Sequence, residues 1–145
     1  STVSQTAAVI NTAYPVTMDT TAGAFGISLL TPSQIQVSRA GVYRIEATIQ
    51  LDDTGGSADS FNLWLRINGV DVTYSASRTT IIGAKHEALV SLMYIMTLEA
   101  GDYFEMVWST NNTSVFLLAA AAVPPVPALP SARILTSYMF PGATT

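Results

Sequence analysis

The sequence predicts an all-β protein, an antiparallel two-sheet sandwich of jelly-roll type, and three observations carry that prediction. The first is Glu99 to Thr110, where the turn signal Glu99-Ala100-Gly101-Asp102 runs into an alternating strand. Side chains switch faces at every strand residue, so Phe104, Met106, Trp108 and Thr110 share one side. Tyr103, Glu105, Val107 and Ser109 share the other. The Phe/Met/Trp side requires a core, and the mixed side fits partial burial against a second subunit. The second observation is Val42 to Leu51, with Tyr43, Ile45, Ala47, Ile49 and Leu51 opposite Arg44, Glu46, Thr48 and Gln50. That is the pattern of a half-buried strand. The third is Asn68-Gly69, placed directly after the inward set Phe61, Leu63, Leu65 and Ile67. Both central residues of a type I′ turn need positive φ, so Asn-Gly marks a hairpin.

The remaining elements follow in chain order. Residues 1–12 are small and polar around an apolar patch, Ala7 to Ile10, and read equally as a first strand or as an arm that orders on contact. Tyr14 to Met18 is a short strand that Pro15 restricts to a sheet edge or a strand start. Phe25, Ile27 and Leu29 alternate into Leu30, and Ile35 and Val37 form a brief strand before the turn at Arg39-Ala40-Gly41. Asp52 to Ser60 is a loop by composition. After the hairpin, Val70 and Val72 begin a return strand that continues, with breaks, towards Ile81 and Ile82. Leu89 to Leu98 is apolar on both faces, which predicts a strand buried between two layers. Asn111 to Ser114 is a turn, Val115 to Leu118 a strand, and Val123 to Pro130 an extended polyproline-like connector without ladder donors. Ile134 to Met139 closes the fold. The count is about eight to ten short strands, with no helix and no duplicated half. The chain divides into an arm or first strand (1–11), a jelly-roll domain (12–139) and a tail (140–145).

At 145 residues this is one domain of ordinary size, long enough to bury roughly 70% of its unfolded surface without staples. It has no cysteine, which leaves the redox compartment open. Ten carboxylates stand against six Lys and Arg, and neither sign forms a run, which argues against a nucleic-acid partner. Charged residues make up 11% of the chain, against roughly 25% in an average soluble protein. Other subunits covering the surface are the simplest account, helped by the Ala, Ser and Thr content. The polar N-terminus lacks the basic region of a signal peptide. Val115 to Val123 is too short to cross a bilayer, so a soluble chain without a membrane partner is expected.

Candidate chemistry is sparse. The single histidine, His86, sits in the polar turn Gly83 to Glu87, without a motif around any serine, and reads as solvated or at an interface. With no cysteine, a Cys-His pair is excluded. Glu46 and Glu105 lie in strands and would need to share a face to act as a glycosidase pair. Pairing with Arg44 and Arg66 is the plainer expectation. Asp52, Asp53 and Asp59 bracket a Gly-rich loop that oxygen-seeking calcium would suit, though their spacing matches no calcium motif, and the question stays open. Trp64 and Tyr74 read as packing residues ahead of a sugar platform, and the sequons in Asn111 to Ser114 read as turn residues. No catalytic residue, metal ligand or cofactor is expected.

Three pieces in order carry a resemblance: Ala40-Gly41-Val42-Tyr43-Arg44-Ile45, Leu63 to Gly69 (LWLRING), and Leu98-Glu99-Ala100-Gly101-Asp102-Tyr103 followed by Met106 to Ser109. They resemble the jelly-roll domain shared by tumour necrosis factor and the globular head of the first complement component. The closer likeness is to the version in structural proteins of tailed bacteriophages, cyanophages among them, which also tends to carry a Pro-rich stretch before a final apolar strand. The resemblance spans about Thr12 to Met139. It implies a ten-stranded sandwich, a homotrimer about a threefold axis, and no catalytic residues.

The sequence contains no shaft, heptads or collagen-like repeat, so the expected role is a virion decoration (cement) protein. Its trimers would sit on the outside of a phage head and bind the major capsid protein across capsomers. The alternative is a receptor- or glycan-binding knob at the tail tip. Trp64, Tyr94, Tyr103, Val107 and Tyr138 are the expected oligomer contacts, and Val3, Ala7, Ala8, Val9 and Ile10 the expected capsid-docking arm. Obligate interfaces of this kind bury on the order of 2,000–5,000 Å².

Overall fold

The computed structural model describes residues 1–83 and 85–142. Among them it forms two antiparallel sheets and no helix. The twelve strands are β1 (Gln5–Thr6), β2 (Tyr14–Pro15), β3 (Ile27–Leu29), β4 (Ile35–Val37), β5 (Gly41–Asp53), β6 (Ala58–Ile67), β7 (Val70–Asp71), β8 (Ser77–Ile82), β9 (His86–Leu98), β10 (Tyr103–Thr110), β11 (Val115–Leu117) and β12 (Ala132–Phe140). Three of them, β1, β2 and β7, are two-residue pairings too short to show as periodicity.

The five-stranded sheet is built on β5. One of its edges pairs with β9 along its whole length, from Gly41↔Leu98 to Asp53↔His86. Its other edge is shared by β12 (Val42 to Ile49) and β11 (Leu51 to Asp53), and β1 extends β11. The seven-stranded sheet is built on the β6–β10 pair, with β8 and β7 beyond β6, and β2, β4 and β3 beyond β10. The two alternations read from sequence face each other across the core. Tyr43, Ile45, Ala47, Ile49 and Leu51 come from one sheet, and Phe61, Leu63, Leu65, Phe104, Met106 and Trp108 from the other. Trp108 lies between Phe61 (ring centroids 5.8 Å apart) and Tyr14 (5.6 Å). Each such buried large side chain contributes roughly 1.5–3 kcal/mol of hydrophobic stabilisation.

The Asn68-Gly69 turn has the positive φ values it needs, 49° and 80°. It is stitched to the Glu99–Asp102 turn, because Asn68 Nδ2 donates to Asp102 Oδ1 at 2.8 Å and Asn68 Oδ1 accepts from the Tyr103 N–H at 3.1 Å. The same end of the sandwich therefore holds both turn signals.

Several expectations need correcting. β9 is not sandwiched between layers: Val90, Leu92, Tyr94, Met96 and Leu98 face the core, while Leu89, Met93 and Ile95 face outward and are exposed. Among the described residues β9 pairs with β5 alone, so it is an edge strand. Val123 to Pro130 is no extended connector. Ala120 pairs with Leu129 and Val123 with Val126, making a narrow hairpin with the cis Pro124–Pro125 bond at its tip. The prolines sit where no donor is needed, and Val123 and Val126 exchange N–H···O bonds of 3.0 and 2.8 Å. Phe25 lies outside β3 and is exposed. At the other end of the chain, Gln5–Thr6 alone of residues 1–12 is strand, and Ala7 to Ile10 lies outside it. Ser1 is buried and its amine donates to the Ala132 carbonyl, β1 pairs with β11, and Ala7 sits in the core.

Candidate assembly surface

The two outward faces of the sandwich differ in chemistry because of what each strand places opposite its core residues. On the five-stranded sheet the cross-strand rows run Met93–Glu46–Leu135, Ile95–Arg44–Ser137 and Thr97–Val42–Phe140, with Leu89 beside Gln50. Leu89, Met93, Ile95, Leu135 and Phe140 are each between 52% and 64% exposed, far more than solvent-facing strand positions need. Arg44 Nη2 and Glu46 Oε1 form an ion pair of 2.9 Å in the middle of these apolar side chains. The same face also carries Arg133 beside Thr48 and the Asp52–Glu87 row, so exposed apolar side chains are interleaved with a few charges, a mixture that fits an interface.

The seven-stranded sheet presents a hydrogen-bonded polar face. Arg78 Nε donates to Asn62 Oδ1 at 2.8 Å, and Asn62 Nδ2 donates to Ser109 Oγ at 3.2 Å, a chain that crosses three strands. Asp71 Oδ1 accepts from Arg66 Nε at 2.7 Å and from Trp64 Nε1 at 2.9 Å. These two donors hold the Asp71 carboxyl below its ordinary pKa, Arg66 contributing most. Glu105 is buried beside them and accepts from Ser33 Oγ at 2.6 Å.

The expected interface residues do not gather on one surface. Trp64, Tyr103 and Val107 lie on the outward side of the seven-stranded sheet, where Val107 is fully buried in register with Trp64 and Pro15. Tyr94 and Tyr138 pair with Ile45 and Tyr43 and so belong to the inward side of the other sheet. Tyr94 donates its hydroxyl to the Ser75 carbonyl at 2.8 Å, and Tyr138 meets Tyr43 edge-on at 5.4 Å. The exposed set Leu89, Met93, Ile95, Leu135 and Phe140 was missed, although the doubly apolar pattern of Leu89 to Leu98 signalled part of it. In the expected docking arm, Ala7 is core, whereas Val3, Ala8, Val9 and Ile10 are exposed.

Candidate reactive groups are scattered. Glu46 and Glu105 lie on the outward faces of opposite sheets and cannot act on one bond. Arg44 does pair with Glu46, but Arg66 takes Asp71 and leaves Glu105 to Ser33. His86 is exposed at the start of β9, and Tyr74 is fully exposed, while Trp64 is tied to Asp71. A cleft of about 140 Å³ opens beside β3 and β12, lined by Met18, Ile27, Leu29 and Ile134 with no titratable side chain. No protein-family model matches the chain, and no curated protein matches it.

Proposed function

We propose that this chain is a homotrimeric structural protein of a phage virion, a decoration protein that binds the outside of the head across capsomers. The observation that carries the assembly is the outward face of the five-stranded sheet, where Leu89, Met93, Ile95, Leu135 and Phe140 surround the Arg44–Glu46 pair. Covering those side chains removes apolar surface from water at roughly 25 cal/mol per Å². The jelly-roll reading and the virion role rest on the ordered likeness of the Gly41-Val42-Tyr43, Leu63–Gly69 and Gly101-Asp102-Tyr103 pieces to phage structural domains. The opposite, polar face stays solvated in the trimer and is the side available to a second protein.

Light scattering on the eluting protein tests the assembly. The expected mass is three times 15.4 kDa, and a single-chain mass at micromolar concentration overturns it. Labelling the protein on purified particles tests the role: many copies over the head support decoration. A few copies at the tail tip transfer the assignment to a receptor- or glycan-binding knob.

A further inference from the structure

We propose that the end of the sandwich between Asp53 and Asp59 is a binding site for a hard divalent cation, with Ca²⁺ the ion its donors suit. Asp53 closes β5 and Asp59 opens β6, so the two carboxylates enter the interior from opposite sheets, with only 0% and 4% of each residue exposed. Both brace the same turn. Asp53 Oδ1 accepts from Ser114 Oγ at 2.7 Å and from the Gly55 N–H at 2.8 Å. Asp59 Oδ2 accepts from Asn112 Nδ2 at 3.0 Å, and Asn112 Oδ1 accepts from the Ser114 N–H at 3.1 Å. Asn112 and Ser114 together thus link the two acids.

The orphaned oxygen, and not the nearness of two acids, carries the assignment. Asp53 Oδ2 is buried and has no hydrogen-bond partner among the described residues. Among the described residues no cationic side chain pairs with either acid, the ion pairs being Arg44–Glu46 and Arg66–Asp71. A buried carboxylate without counter-charge is strongly unfavourable, and a bound cation supplies that charge. The loop packs at Gly55 against Asp53 and its partner, since a Cβ there would lie 2.6 Å from Ser114 Oγ and 3.0 Å from Asp53 Oδ1. The carbonyls of Thr54, Gly55 and Gly56 accept no backbone hydrogen bond among the described residues and remain as further donors. No three His, Cys, Asp or Glu side chains converge among the described residues, so the donor set is two carboxylates, carbonyls and water. All-oxygen donors on an irregular loop fit calcium's variable coordination better than the strict octahedron of magnesium. Asp52 is excluded, because it points outward between Glu87 and Phe116.

The site does not depend on the assembly proposed above. The test is thermal unfolding of chelator-treated protein titrated with CaCl₂ or MgCl₂, with calorimetric Ca²⁺ titration of the unmodified protein alongside. The midpoint is expected to rise with the logarithm of CaCl₂ concentration above Kd, by roughly 5–10 °C at a hundredfold excess over Kd. Asp53→Asn and Asp59→Asn should abolish the rise and Asp52→Asn should keep it. Calorimetry should give one site per chain, and that readout stands even if a variant fails to fold. Equal midpoints in chelator and in about 10 mM CaCl₂, above the range of the weakest protein calcium sites, overturn the proposal. So does a rise that survives Asp53→Asn.

Discussion

The indole Nε1 of Trp64 donates to Oδ1 of Asp71 at 2.9 Å across the Asn68-Gly69 hairpin, tying β6 to the short return strand β7. Arg66 shares the same oxygen at 2.7 Å, so one carboxylate organises the polar face of the seven-stranded sheet.

That arrangement sets a pH dependence. Asp71 is held below its ordinary value of 3.8, first by Arg66 and then by Trp64. A carboxyl with a lowered folded-state pKa binds fewer protons folded than unfolded, so its contribution is complete above the unfolded value. It is lost as pH falls through the folded one. The pair is solvent-screened, which limits the effect to roughly 0.2–1 kcal/mol. Urea midpoints at neutral pH and below the ordinary carboxylate pKa should differ by less in Asp71→Asn than in the unmodified protein.

Placing a charge on the apolar face should separate assembly from folding. Met93→Glu puts a second carboxylate beside Glu46, and Leu135→Glu does so from the other side. Each is expected to lower the mass in light scattering to that of one chain while leaving the circular dichroism spectrum unchanged. An unaltered mass in both variants removes this face from the interface.

Trp108 offers a graded test of the core. Its ring packs on Phe61 and Tyr14, yet its Nε1–H is buried without an acceptor among the described residues. Trp108→Ala should cost about 3–5 kcal/mol through the cavity it leaves. Trp108→Phe should cost clearly less, because the phenyl ring keeps most of the volume filled while both variants remove the unsatisfied donor. Chemical denaturation of the two variants measures the gap.

Two glycine substitutions should destabilise for different reasons. A Cβ at Gly41 would lie 2.5 Å from Tyr138 Cε2 and 2.9 Å from the Phe140 carbonyl oxygen. Gly41→Ala is therefore an overpacking change of about 1–3 kcal/mol that displaces Tyr138 from Tyr43 and alters the near-ultraviolet circular dichroism. Gly101 has φ of 93° and nothing within 4 Å of an added Cβ. Gly101→Ala should cost about 1–2 kcal/mol of backbone strain alone and leave that spectrum intact.

How much of this could be read from residues alone depends on what alternation encodes. Period two tells which side chains share a side, so the inward sets of β5, β6 and β10 were legible, and so was the turn at Asn68-Gly69. It does not tell what lies against a side. Leu89, Met93 and Ile95 form the same pattern whether a second layer covers them or nothing does, and that ambiguity hid the edge position of β9. Parity within a strand is also blind to which sheet the strand joins, so Glu46 and Glu105 could be imagined together when they face opposite ways. Arg66 found Asp71 through a hairpin rather than Glu105 directly across the ladder. The orphaned oxygen of Asp53 arises from packing between sheets far apart in sequence, and no local spacing announces it.

The open side of β9 has a bearing on how the protein must be made. From Ala88 to Leu98 it carries neither a charge nor a proline, the features that ordinarily stop sheet edges from recruiting one another. Copies with this edge uncovered should join edge to edge into open-ended ribbons, and cover of the edge by the proposed assembly would close that route to fibre growth.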